Sequence, residues 1–466
     1  MAYRWKVFTV VSLGVFMSSL DLFIVNIAFP DLQRDFAGTS LAGLSWVLSA
    51  YAIVFAALLV PAGRIADRVG RRRAFLGGLA AFTVASALCA VAPSVPALVA
   101  ARVLQAAGGA FMLPTSLGLL LPEFPPERRA TAVGLWGAVG GVAAALGPPI
   151  GGLLVEASWR WVFLVNLPVG LAALWAATRT LHEVGESKES SRPDLAGAAM
   201  FAVAIGLLTL GIVQGRDWGW ASPEIVGSFV ASALLVVAFG WRSAHHPAPV
   251  IEPAILRVRS FAVANLATAL FFAAFGAMLL TNITFLIEVW GYSTLTAGLA
   301  LAPGPVMAAV FSVPAGRLSD RFGQRAVAIP GGLLCAAGFV WTIWQVGPTP
   351  AYAADFLPGW LVGGAGVGLS ISTLASAAAA SLPPERFATG TGVFGMSRQI
   401  GTALGIAVTV AILAGASASN PMHAFDSAWT FMALTTFAVA VVAVALGRVR
   451  VAVPIARAEA PAEARA

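Results

Sequence analysis

Two side chains of this sequence carry a full charge in the middle of long apolar runs. They are Asp21 in "FMSSLDLFIVNIAFP" and Arg102 in "ALVAARVLQAAGGAF". A charge at the centre of a membrane helix costs about 2.5–3.5 kcal/mol even on insertion scales, so such residues tend to be paired and functional. A carboxylate facing an arginine in a low-dielectric setting has the makings of a proton carrier. Burial favours its neutral form and the cation its charged form, so an arriving substrate can tip the balance. The same two residues also read as a static ion pair that only helps assembly.

Other chemistry is scarce. Cys89 and Cys335 sit inside apolar runs and read as small buried hydrophobes. His182, the pair His245 and His246, and His423 lie in loops without cysteine or acidic partners at metal-ligand spacing, so no metal site is expected. A phosphate-binding loop needs Gly-Lys followed by Ser or Thr. The two lysines are followed by Val7 and Glu189 instead. Any pumping must then draw on an ion gradient or on a separate ATPase, and no cofactor is expected.

A polar phrase is said twice. "VPAGRIADRVGRR" at 60–72 and "VPAGRLSDRFGQR" at 313–325 agree at nine of thirteen positions. In the first copy Gly63 and Gly70 would permit a tight chain reversal, and Asp67 can pair with Arg68 or Arg71 beside Arg64. Gly316, Arg317, Asp320 and Arg321 repeat the pattern. Such a cluster suits a gate that latches and releases two bundles, and its arginines also anchor topology. A second echo joins "PPERRATAVG" at 125–134 to "PPERFATGTG" at 383–392.

The elements that must position these residues are membrane helices. Only 11% of the 466 residues are charged and the mean hydropathy is +0.86. Soluble domains carry about 25% charged residues. Fourteen apolar runs can each cross a ~30 Å hydrocarbon core: 7–29, 45–63, 74–93, 97–121, 130–155, 161–179, 195–214, 222–241, 261–287, 295–315, 326–346, 352–380, 389–414 and 425–447. Asp21 interrupts the first, which is too long for a signal peptide and reads as a retained helix. With the N-terminus inside, 23 of the 28 basic residues fall in cytoplasmic segments, which puts both termini and both repeated phrases there. The net charge of +7 is thus spread over short loops rather than one basic face, and no nucleic-acid partner is expected.

The echoes divide the chain into an N-terminal six-helix bundle (1–179), an insert with two more helices (180–260), a C-terminal six-helix bundle (261–447) and a short cytoplasmic tail (448–466). Parallel halves around a central site are a transporter architecture. Counting 1.5 Å per residue puts Asp21 roughly 12 Å, and Arg102 roughly 8 Å, below the same outer surface. They share a depth.

The motifs resemble those of the major facilitator superfamily. "GRIADRVGRRR" is similar to its loop between helices 2 and 3, and "RVLQAAGGA" (102–110) to its helix-4 arginine motif. "GAVGGVAAALGPPIGG" (137–152), with Gly147, Pro148, Gly151 and Gly152, resembles its antiporter motif. "LDLFIVNIAFP" and "SWRWVFLVNLPVG" look like signatures of the fourteen-helix drug:proton antiporter branch, although Phe23 stands where that branch often has threonine. The resemblance implies an all-α fold of two rocking bundles plus two inserted helices. It implies export of drugs, antibiotics or other hydrophobic or cationic small molecules from the cell in exchange for protons, by a monomer in the lipid bilayer. A dedicated exporter of one endogenous metabolite or lipid is the alternative.

Carried over residue by residue, the resemblance assigns proton coupling to Asp21 and Arg102. Glu288, near the outer end of helix 9, reads either as a second titrating group or as an interfacial carboxylate. Asn26, Tyr51, Gln105, Trp136, Arg398 and Gln399 are expected along the substrate cavity, with Tyr51 and Trp136 as aromatic walls for a planar compound. No catalytic cluster is legible, and no enzyme is expected.

Overall fold

A computed structural model describes residues 3–125, 129–183, 194–382, 387–415 and 421–446. The tail at 448–466 and parts of both PPER echoes lie outside the described residues. Among the described residues, fourteen helices are long and apolar enough to span a bilayer. In hydrocarbon a backbone can satisfy its own polar groups only as a helix or a closed barrel, and these alanine-, leucine- and valine-rich runs take the first route.

We number the spans α1 (Tyr3–Ile27), α2 (Leu41–Val69), α3 (Arg71–Ala90), α4 (Val95–Leu120), α5 (Arg129–Ala157), α6 (Trp161–Leu164 continued by Asn166–Thr180), α7 (Leu195–Trp218) and α8 (Pro223–His245). The second half continues with α9 (Arg259–Glu288), α10 (Thr294–Leu301 continued by Pro303–Phe322), α11 (Gln324–Gln345), α12 (Tyr352–Phe356 continued by Leu357–Ala380), α13 (Phe387–Leu413) and α14 (Pro421–Ala443). Four helices that begin at the end opposite the repeated phrases share one cap. Ser40, Ser94, Ser222 and Ser293 each accept the backbone N–H three residues on, at the starts of α2, α4, α8 and α10. This satisfies a donor that the helix itself leaves open.

The sequence repeat has a conformational counterpart. Gly70 and Gly323, at equivalent places in the two phrases, adopt φ of +99° and +88° and form the one-residue joints α2–α3 and α10–α11. A side chain there would be strained. Gly63, expected to help the reversal, lies instead within α2, where it packs near Pro114 of α4.

Packing repeats as well. Within the first six helices the main contacts are α1 with α5, α3 with α4, α2 with α4, α3 with α6, and α1 with α6 and α4. Each recurs eight helices later: α9 with α13, α11 with α12, α10 with α12, α11 with α14, and α9 with α14 and α12. The two bundles meet along two further equivalent seams, α2 against α13 and α5 against α10. Small residues permit these approaches, as expected where lipid gives helices no hydrophobic reason to associate. Gly405 of α13, for example, lies on the carbonyl of Ala273 in α9.

The inserted pair departs from symmetry. α8 packs chiefly on α7, held by Ser232 Oγ donating to the Ala204 carbonyl (2.7 Å) and by Arg242 Nε donating to both Asp194 carboxylate oxygens (2.8 and 3.0 Å). α7 in turn lies along both α2 and α13, across the seam between the bundles.

Candidate functional site

Asp21 and Arg102 meet. Arg102 Nη1 donates to Asp21 Oδ2 at 2.5 Å, and both side chains are sealed from solvent, 0% and 1% exposed. The common depth read from the sequence is therefore a contact. Asp21 lies on α1 and Arg102 on α4, which pack directly.

The pair belongs to a network drawn from five helices. Gln105, one turn along α4, accepts from Arg102 Nη1 (2.6 Å) and donates to Asp21 Oδ1 (3.0 Å) and to Ser86 Oγ of α3 (2.8 Å). Asn166 at the bend of α6 donates to Asp21 Oδ1 (3.4 Å) and to Ser86 Oγ (3.3 Å). Arg102 Nε reaches the Val47 carbonyl on α2 (3.1 Å). The guanidinium lies 4.0 Å from the Tyr51 ring centroid and 5.9 Å from that of Phe163. A desolvated cation over an aromatic face gains about 2 kcal/mol or more. Every polar member is buried, and the carboxylate is met by donors from Arg102, Gln105 and Asn166.

Sequence reasoning missed Ser86 and Asn166. Asn166 lies within the motif "SWRWVFLVNLPVG", and an amide in an apolar span was its only signal; Ser86 had none. Two residues expected on the substrate cavity move into this network. Gln105 and Tyr51 are both 0% exposed, so Tyr51 roofs the arginine rather than walling a cavity. Asn26 is also buried and donates to the Leu22 carbonyl (2.7 Å). Gln399 is 8% exposed, and Trp136 donates to Ser116 Oγ (3.0 Å) at the contact of α5 with α4.

Arg398 behaves differently. It lies deep among the helices of the second bundle, yet its side chain is exposed, so it fronts an interior space. Its guanidinium stacks 4.7 Å from the Phe272 ring centroid and makes no ion pair among the described residues. Glu288 is the last residue of α9, exposed at the far end and within electrostatic reach of Arg34. That position suits the interfacial reading.

The glycine-proline stretch of α5 lies between the bundles. Gly147 and Gly151 receive Phe23 and Ile27 of α1, while a side chain on Gly152 would meet Leu295 and Thr294 of α10. Gly298 of α10 abuts the Pro148 carbonyl, and Thr294 Oγ1 donates to Asp31 Oδ2 (3.1 Å) nearby.

The first repeated phrase holds together within its own bundle. Asp67 pairs with Arg71 Nε (2.9 Å), whose Nη1 donates to the Gly118 carbonyl of α4 (3.1 Å). Glu183, beyond α6, accepts from the backbone N–H of Arg72 (2.9 Å) and of Arg73 (3.4 Å), at the positive end of the α3 dipole. Arg68 is exposed. Arg64 of this phrase reaches beyond the first six helices, pairing with Glu252 just before α9 (3.6 Å). Asp67 thus takes Arg71, one of the two partners its spacing allows, and among the described residues it makes no ion pair to the second bundle. In the second phrase Gly316 is helical, Arg317 and Arg321 are exposed, and the Asp320 side chain lies outside the described residues.

Fourteen spans, two pseudo-symmetric bundles and a charged network buried in one of them define a membrane transport protein. A family model described as Major Facilitator Superfamily matches residues 11–406 and again 264–465. The chain belongs to that family. It is 35% identical over 408 residues to the multidrug resistance protein Stp of Mycobacterium tuberculosis, covering 86% of this chain and 74% of Stp. It is 32% identical over 413 residues to the tetracenomycin C resistance and export protein of Streptomyces glaucescens, covering 88% and 76%. A crystal structure of the peptide transporter POT in complex with sulfate shares the fold, with a TM-score of 0.68 at 16% identity and 96% coverage of both chains.

Proposed function

We propose that this protein is a proton-coupled exporter of drugs, antibiotics or related hydrophobic small molecules, acting as a monomer in the cell membrane with both termini in the cytoplasm. Relatives named for multidrug resistance and antibiotic export support the substrate class. The excess of basic residues on the side of the termini supports the orientation. No nucleotide is required, since the gradient supplies the energy.

The observation that carries the coupling is the sealed Asp21–Arg102 network. In this conformation the carboxylate has every partner an ionised acid needs. A proton arriving at Asp21 removes its charge, leaves Arg102 to Gln105, the Val47 carbonyl and the Tyr51 ring, and loosens α1 from α4. Alternation between the two arrangements links protonation to bundle shape. The relative named for resistance to and export of one compound favours a second reading, a dedicated exporter of a single metabolite.

Reconstituted in liposomes, the protein should move a substrate found by a susceptibility panel when a pH gradient is imposed, without nucleotide. Asp21→Asn should insert and bind but not pump, because an amide cannot take up and release the proton. ATP-dependent transport insensitive to the gradient would overturn the proposal.

A further inference from the structure

Inside the bundles the only acid is spoken for. Among the described residues of the fourteen helices, Asp21 is the one buried acidic side chain. Asp21 is fully buried and paired with Arg102. A cationic substrate entering this conformation would find no free carboxylate to receive it.

It would instead meet a cation. Arg398 lies eleven residues into α13, roughly 16 Å at 1.5 Å per residue and so near the middle of the membrane. Its guanidinium is exposed to interior space and carries neither an ion pair nor a hydrogen bond among the described residues. A charge at this depth is retained for something that pairs with it.

Rings flank it. Phe272 lies buried beneath the guanidinium and backs it, half-buried Phe275 follows at 5.5 Å between centroids, and half-buried Phe23 of α1 meets Phe275 edge-on at 6.1 Å. Phe272 and Phe275 belong to α9 and Phe23 to the other bundle, so the aromatic wall runs from the arginine across the central seam. A flat ring system can stack along such a wall while its anionic group takes the planar donors of Arg398.

We propose that Arg398, with Phe272, Phe275 and Phe23, forms a binding site for aromatic organic anions, compounds joining a planar ring body to a carboxylate or ionised phenol. The proposal rests on the exporter reading and narrows its substrates. The hydrophobic expectation from the sequence is kept, and the cationic one is replaced by its opposite.

Binding without any gradient tests it apart from proton coupling. Purified full-length protein is titrated with anthraquinone-2-carboxylate and with the isosteric, uncharged anthraquinone-2-carboxamide. Ethidium serves as an aromatic cation and oleate as an anion without rings. The carboxylate should bind at least about tenfold more tightly than the amide, a difference of about 1.4 kcal/mol, and more tightly than ethidium or oleate. Arg398→Gln should bring the carboxylate down to the level of the amide and leave the amide unchanged. Phe272→Leu should weaken both ring compounds alike.

Equal binding of carboxylate and amide by the parent protein would overturn the proposal without any variant. So would a preference for ethidium, oleate binding as tightly as the ring carboxylate, or an Arg398→Gln protein that keeps the carboxylate preference. A protein that binds these anions but ignores a pH gradient would instead refute the coupling and leave this site standing.

Discussion

At the residue scale, the Asp21–Arg102 network makes the two partners unequal. Arg102→Ala leaves a carboxylate sealed among helices without its cation, and breaking a buried pair in this way costs about 3–5 kcal/mol. Thermal unfolding in detergent should show that loss, and adding Asp21→Asn should recover most of it, because the amide can still accept from Gln105 and Asn166. A double variant no more stable than Arg102→Ala would mean that the arginine acts through its contacts with Val47 and Tyr51 instead. A smaller effect is expected at the far end, where Asp35 accepts hydrogen bonds from Trp159 (2.7 Å) and Arg160 (3.1 Å). These hold its carboxyl below the ordinary carboxylate range, Trp159 contributing most. A folded-state value below the unfolded one gives stability that is present above the unfolded value and lost as pH falls through the folded one. Asp35→Asn should therefore flatten part of the acid limb of a melting-temperature profile below about pH 4; an unchanged limb would remove Asp35 from that account. Of these partners, the sequence exposed only the charges. Asp21 and Arg102 stand out because ionised groups are costly in hydrocarbon, whereas Ser86 is an ordinary small residue of a membrane helix until Gln105 of α4 and Asn166 of α6 meet on it.

At the element scale, the duplicated phrase made the symmetry of the fold readable, since two copies spaced alike imply two copies of what surrounds them. Which way each helix faces was not readable. A membrane helix is apolar toward lipid and toward its neighbours alike, so the 3.6-residue alternation that orients a soluble helix is blurred. Tyr51 was for that reason placed on the cavity when it lies over Arg102. The antiporter stretch of α5 has its meaning at this scale too. Gly152 and Gly298 let α5 and α10 touch across the bundle boundary, while Val60 and Leu59 of α2 pack against Gly392 and Gly395 on the other seam. Gly298→Leu drives a side chain into the Pro148 carbonyl and should prevent closure at that end. We expect normal insertion but at least about tenfold slower transport, the cost of a geometry that can no longer be reached. Turnover equal to the parent would show that the seam need not close. In the repeated phrase, Asp67→Asn removes the partner that holds Arg71 against Gly118. If the phrase gates, substrate binding should persist while turnover falls, and labelled cysteines should report altered inward and outward populations. Unchanged populations would reduce the phrase to a topology anchor.

At the scale of the whole molecule, the inserted helices pose a mechanical problem. Two bundles that rock about a central site must change the gap between α2 and α13, and α7 lies along both. An inserted pair could pack wholly outside the bundles and away from the cavity. That description suits α8, which rests on α7, better than α7 itself. The grip of α7 is uneven along its length. Ala198, Phe201 and Ile205 pack in one apolar cluster with Leu59 and Val60 of α2 and Met396 and Ala403 of α13, whereas Arg216 at its other end presses on Gly415 beyond α13. A helix bound firmly to both bundles would oppose rocking, so one of the two contacts must slide. α7 follows the first bundle in the chain and carries α8 through the Asp194–Arg242 clip, which makes the contact with α13 the better candidate for release. Joining Arg216→Cys to Gly415→Cys with a flexible bis-maleimide should then arrest transport while leaving substrate binding intact. Joining Ala204→Cys to Ser232→Cys, where α7 meets α8, should leave transport near the parent rate. If the first cross-link forms fully and transport continues, α7 moves with the second bundle and the sliding surface lies on α2.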